Sequence, residues 1–79
     1  MDRGILAATR LLPNHKKSIQ ELMLRSESFR ALCMDLAEAE FALERWEQSK
    51  TPEKEAHCAE YRLIIIGLEA EIRQTIRER

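Results

Sequence analysis

The sequence has few residues of the kinds that make turns, disulfides or aromatic clusters. It contains two Gly, two Pro, two Cys and four aromatic residues in 79. So few turn residues exclude a β-sandwich or barrel, whose short strands need frequent turns. Two cysteines are too few for the disulfide framework of a small secreted domain. With 44% hydrophobic residues the chain is also unlike a disordered tail.

Neither a strong net charge nor a long hydrophobic run is present. Thirteen Lys and Arg against fourteen Asp and Glu give a net charge of −1, whereas nucleic-acid binders usually carry a basic excess. The longest apolar run, Leu63–Leu68, is far below the length of a membrane span. The start of the chain also lacks the features of a signal sequence. Together with the two isolated cysteines, these features predict a cytoplasmic protein without a membrane span.

Caps and helix breakers predict one domain, residues 1–79, with three helices. The first spans about 3–12 and ends before Pro13. The second spans about 18–48 and begins at a capping box on Ser18 and Glu21. The hydroxyl side chains of Ser26 and Ser28 compete for main-chain hydrogen bonds and are expected to loosen this helix there. The third spans about 52–76, with Thr51 as its N-cap and Pro52 at its first position.

The apolar spacing of the two long helices predicts the architecture. In each, apolar or small residues recur at alternating intervals of three and four, which is the pattern of a coiled-coil contact. We call these positions the seam: Phe29, Leu32, Leu36, Ala39, Leu43 and Trp46, then Cys58, Tyr61, Ile65, Leu68, Ile72 and Thr75. The fold class is therefore all-α, an antiparallel coiled-coil-like helical hairpin preceded by a short N-terminal helix.

A second set of apolar residues lies off the seam and needs a cover. The predicted self-association surface consists of Met34, Phe41, Leu63, Ile64, Ile66 and Ala70. Exposed together, they would form a patch that soluble monomers seldom tolerate. Two covers are possible: the N-terminal helix could fold back, or a second copy could dock to form a helical bundle. The N-terminal helix has only about four large apolar side chains, too few to cover both helices. We therefore favour a homo-oligomer, and among homo-oligomers a dimer.

The spacing resembles the YdcH-like family of short bacterial α-helical hairpin proteins. The family's first helix reads F-x2-L-x6-L-x3-I-x2-L-E, and its second contains L-K-D-E-I. Positions at those spacings here are Phe29, Leu32, Ala39, Leu43, Trp46 and Glu47, then Leu68 to Ile72. The resemblance covers about residues 19–73 and implies a helical hairpin without an enzyme activity or a cofactor. The family is Lys-rich before L-K-D-E-I, whereas this chain has Arg62 followed by four apolar residues, so no role for those lysines carries over.

No pattern of catalytic or metal-ligating residues stands out. Cys58 follows His57 directly, and neighbouring helical residues point about 100° apart, so the pair is better interpreted as structural. The Glu-x-x-His motif of carboxylate metal sites in helix bundles is absent. Gly67, in the middle of the last helix, costs about 0.8–1 kcal/mol relative to Ala. It is either tolerated there or marks a close helix approach, opposite Trp46 or Phe41. We predict no enzyme, no metal and no cofactor.

The sequence thus favours a non-enzymatic, self-associating interaction or adaptor module, with docking to an unknown larger protein as another option. The alternative from another class is a nucleic-acid-binding accessory protein. It would use the basic residues of the first third of the chain: Arg3, Arg10, Lys16, Lys17, Arg25 and Arg30. The net charge makes nucleic acid the less favoured partner.

Overall fold

The computed structural model describes residues 2–78, so both end residues of the predicted domain lie outside the described part. This part contains four α-helices and no strand. The helices are α1 (Arg3–Leu11), α2 (Lys16–Arg25), α3 (Glu27–Glu47) and α4 (Lys54–Glu78), with a short 3-10 turn at Pro13–His15 before α2. The predicted all-α helical hairpin is confirmed: α3 and α4 form it, and the molecule measures 43 × 24 × 22 Å.

The hairpin contact follows the seam. All twelve seam positions are buried or half-buried, and Phe29, Leu36, Cys58 and Ile72 are among the most enclosed side chains. At the loop end of the hairpin the Trp46 ring stacks on the His57 imidazole, with centroids 4.0 Å apart and planes 18° apart. The alternating spacing places one face of each helix against the other, so the local pattern was sufficient to predict this contact.

The single helix predicted for residues 18–48 is wrong, because it is divided at Ser26. This residue is extended, with φ −120° and ψ 109°, and its Oγ accepts a hydrogen bond of 3.0 Å from the Phe29 N–H. Arg30 donates from its guanidinium to the Met23 carbonyl, which the end of α2 leaves without a helical partner. Arg30 therefore stabilises the C-terminus of α2, and Ser26 stabilises the N-terminus of α3.

The predicted helix starts also need correction. Residues 13–15 form a 3-10 turn and α2 begins at Lys16 without a side-chain cap, so the capping box on Ser18 is not formed. The last helix begins at Lys54 instead of at Pro52, and both Thr51 and Pro52 lie in the turn that precedes it. There the Thr51 hydroxyl lies 3.1 Å from the Ser49 hydroxyl.

The N-terminal helix folds back onto α3. Asp2 caps α1 by accepting from the Gly4 and Ile5 N–H groups, and Ala7 and Ala8 are fully buried against the hairpin. Gly4 lies so close to α3 that an added Cβ would be 3.1 Å from the Met34 nitrogen and 3.2 Å from the Cys33 carbonyl carbon. At the other end of α1, Arg10 pairs with Glu40 at 3.1 Å. One of the two possible covers is thus present, and it covers part of α3.

Candidate interaction surface

The six residues of the predicted self-association surface lie in four places. Met34 is half-buried beneath α1 and belongs to the margin of the core. Phe41 is 50% exposed beside α1, with the guanidinium groups of Arg3 and Arg45 5.6 and 5.9 Å from its ring centroid. The other four residues are on α4, where they divide between two sides of the helix.

Ile64 lies on one flank of α4 and is 44% exposed. It faces a shallow groove against α3 that is also lined by Ala39, Ala42 and Tyr61. The side chain therefore extends the edge of the hairpin contact. It is separate from the apolar residues on the far side of α4.

The far side of α4 carries the outer stripe, which we define as Ala59, Leu63, Ile66 and Ala70. Each member lies two positions before a seam residue, and two positions turn a helix by about 200°. The outer stripe is therefore nearly opposite the seam. Leu63 is 72% and Ile66 60% exposed, and both alanines are exposed as well.

Gly67 borders the outer stripe, and the helix approach expected there is not made within the protomer. A Cβ built on Gly67 meets no atom within 4 Å, so neither Trp46 nor Phe41 lies opposite it. The reason is that both aromatic residues are on α3, whereas Gly67 points to the side of α4 away from the hairpin contact. The face of α4 that carries the outer stripe and Gly67 is therefore exposed to solvent in the protomer.

Sequence reasoning overlooked two exposed leucines. Leu24 on α2 is 84% exposed and Leu6 on α1 is 40% exposed, next to Phe41. The face of α2 that packs against the core carries Ile19 and Met23. Leu24 lies on a different face of the helix, which is exposed to solvent. The break at Ser26 would have been needed to recognise this, because a continuous helix gives residues 18–25 a different orientation.

Three side chains with reactive groups, Cys33, Cys58 and His57, are buried or half-buried. Cys33 and Cys58 are free and buried, and His57 points toward Trp46 while its Nδ1 lies 3.7 Å from Glu60. Burial, with a smaller effect of the Asp2 carboxylate, raises the pKa of Cys33 from 9.0 to about 12. Such a thiol stays protonated and is a poor nucleophile at neutral pH. Within residues 2–78 no group of three His, Cys, Asp or Glu side chains could hold a metal ion.

The six basic residues considered for nucleic-acid binding are distributed over three helices. Arg10 is paired with Glu40, Arg3 lies over Phe41, and Arg30 is bound to a main-chain carbonyl. Lys16, Lys17 and Arg25 are exposed on α2. Nucleic-acid binding stays a prediction from the sequence, and retention on heparin at low salt would test it.

Comparison of the chain with protein-family models, curated proteins and solved structures finds no match. The resemblance to the YdcH-like family therefore stays a prediction from the spacing of apolar residues. In the described part of the chain, no helix combines the length and the apolar character that crossing a membrane requires.

Proposed function

We propose that this protein is a non-enzymatic helical interaction module that associates with itself through α4. The observation that carries the proposal is the outer stripe, which places two large aliphatic side chains in water on a regular helix. Burying a side chain of this size contributes about 1.5–3 kcal/mol. A partner that covers Leu63 and Ile66 would recover that free energy, which makes this face the strongest candidate for a contact.

The other exposed apolar residues support α4 over the remaining surfaces. Phe41 and its neighbour Leu6 are only 50% and 40% exposed and lie among charged side chains of α1 and α3. Leu24 is the one large hydrophobic residue that is exposed on α2. Isolated exposed hydrophobic side chains are common on protein surfaces, whereas contiguous ones indicate interaction sites. The outer stripe is the contiguous set on a single long helix.

The test compares the same substitution at two exposed leucines. We expect the wild-type chain to scatter light as twice its 9.3 kDa at micromolar concentration. Leu63→Glu should reduce the mass to that of one chain with an unchanged helical circular dichroism spectrum. Leu24→Glu is the matched control, because Leu24 is at least as exposed but is on α2, and it should leave the dimer intact.

A wild-type chain that is monomeric up to several hundred micromolar would contradict the proposal. So would a dimer that Leu24→Glu dissociates and Leu63→Glu does not, since the contact would then be on α2.

A further inference from the structure

We infer that the partner on the outer stripe is a second copy of this chain, whose α4 runs antiparallel in one register, with Leu63 facing the partner's Ile66. This inference rests on the proposed self-association and specifies its geometry.

The apolar layers match in this register. By the two-fold symmetry of an antiparallel pair, the Leu63–Ile66 contact occurs twice. One helical turn further out, Ala59 faces the partner's Ala70, again on both sides of the centre. Large residues thus meet at the middle and small residues at both ends, where alanines allow the helices to approach.

The flanking charges also match. Arg62 precedes Leu63 and Glu69 precedes Ala70, which places both at the positions that bridge between helices in coiled coils. In this register Arg62 faces the partner's Glu69, and Glu69 faces the partner's Arg62. On the other flank Gly67, which has no side chain, faces the partner's Glu60. Both close charge pairs are therefore attractive.

Neighbouring registers bring like charges together. A shift of one heptad in one direction places Glu69 against the partner's Glu69, and Leu63 then faces Arg73. A shift in the other direction places Arg62 against the partner's Arg62. A parallel pair has no attractive charge contact and brings Glu55 next to the partner's Glu60. Like charges at such positions are destabilising, so the charges select one arrangement.

In the protomer Arg62 is exposed and Glu69 is half-buried at the edge of the outer stripe. Arg62 reaches Glu47 of its own chain at 3.5 Å, but both side chains are about half exposed, and a contact of this kind is weak. A guanidinium has five N–H donors and can bind a second carboxylate at the same time. Among residues 2–78, Glu69 makes no ion pair.

Cysteine cross-linking distinguishes the arrangements. Ala59→Cys and Ala70→Cys are prepared as separate proteins, and wild type is the control because Cys33 and Cys58 are buried. Under mild oxidation we expect a covalent dimer when the two variants are mixed, and none from either alone. In the antiparallel register two copies of residue 59 are about 16 Å apart along the axis, which is too far for a disulfide.

Charge reversal supplies an independent readout. Glu69→Arg should weaken the dimer about tenfold at low salt, since both flanking pairs become repulsive, and Arg62→Glu combined with Glu69→Arg should restore most of the affinity. Glu71→Arg, the same charge change on another side of α4, is the matched control and should have little effect.

The outcomes separate the two proposals. A dimer in which Ala59→Cys cross-links with itself, or in which Glu69→Arg and Glu71→Arg behave alike, overturns the register and leaves self-association standing. A monomeric wild-type chain overturns both.

Discussion

The two glycines of this chain are both helical, yet their surroundings differ. Gly4 in α1 lies against the backbone of α3, whereas Gly67 in α4 has open space where a Cβ would be. Glycine is the residue with the lowest helix propensity after proline, so an exposed helical glycine costs stability unless something approaches it closely. The same substitution should therefore have opposite effects at the two sites.

We expect Gly4→Ala to destabilise the fold by about 1–2 kcal/mol, because the main-chain atoms of Met34 and Cys33 cannot move away without separating α1 from α3. Gly67→Ala should stabilise it by about 0.8–1 kcal/mol through helix propensity. Urea unfolding measures both, with each change made in the Leu63→Glu background so that association does not contribute. Shifts of the same sign would contradict this interpretation.

The Cys33 thiol links the stability of the fold to pH. Its side chain is fully buried, and desolvation holds its pKa near 12 in the folded chain, whereas an unfolded thiol titrates near 9.0. Above pH 9 the unfolded chain therefore binds fewer protons than the folded chain. By linkage, the stability due to the neutral thiol is complete below pH 9 and is lost as pH rises toward 12.

We expect the free energy of unfolding of the wild-type chain to fall above pH 9, by at most about 1.4 kcal/mol per pH unit from this group. Cys33→Ala removes the titrating group, so its free energy of unfolding should fall less over the same range. Urea unfolding at pH 8, 9, 10 and 10.5 gives the two profiles. Parallel profiles would show that Cys33 does not contribute to the pH dependence.

At the scale of helices, the break at Ser26 determines how the first third of the chain packs. It allows α2 to leave the axis of α3 and brings Ile19 and Met23 into the same buried cluster as Ile72 and Ile76 of α4. The Ser26 Oγ is the N-cap of α3, while Arg30 satisfies a carboxyl-terminal carbonyl of α2. A side chain that cannot cap would favour a continuous helix or leave the Phe29 N–H unpaired.

We expect Ser26→Ala to lower the free energy of unfolding by about 1 kcal/mol, the usual cost of losing an N-cap. Ser28→Ala is the matched control, because Ser28 lies two residues away inside α3 and makes only a side-chain contact with Ser26. It should be neutral or slightly stabilising, since Ala has the higher helix propensity. Equal losses in the two variants would argue against the cap.

At the scale of the whole molecule, α3 and α4 are covered unequally. The hairpin partner covers one face of each helix, and α1 covers a second face of α3, where Cys33 and Ala37 are buried. The far side of α4 receives no comparable cover, although Leu63 and Ile66 are as apolar as the residues that are buried. This asymmetry is the reason for assigning the interaction surface to α4.

How much of the candidate surface could be predicted depends on the residue. The spacing places Leu63, Ile66 and Ala70 off the seam, and in the structure they lie exposed on the far side of α4, because their offset from the seam is a property of the helix itself. Met34 and Phe41 were assigned to the same surface, but α1 half-buries the first and lies beside the second. That outcome depends on where α1 packs, which the spacing within α3 does not contain.

The all-α class and the α3–α4 contact follow from local spacing, since intervals of three and four place apolar residues on one face whatever surrounds the helix. The position of the break at Ser26, the docking of α1 through Gly4 and the apolar face that stays open are known from the three-dimensional structure. The break rests on an extended Ser26 and on hydrogen bonds to residues close to it in the chain, whereas the other two depend on close approaches between residues far apart in the chain. Local helical periodicity carries no information about such contacts.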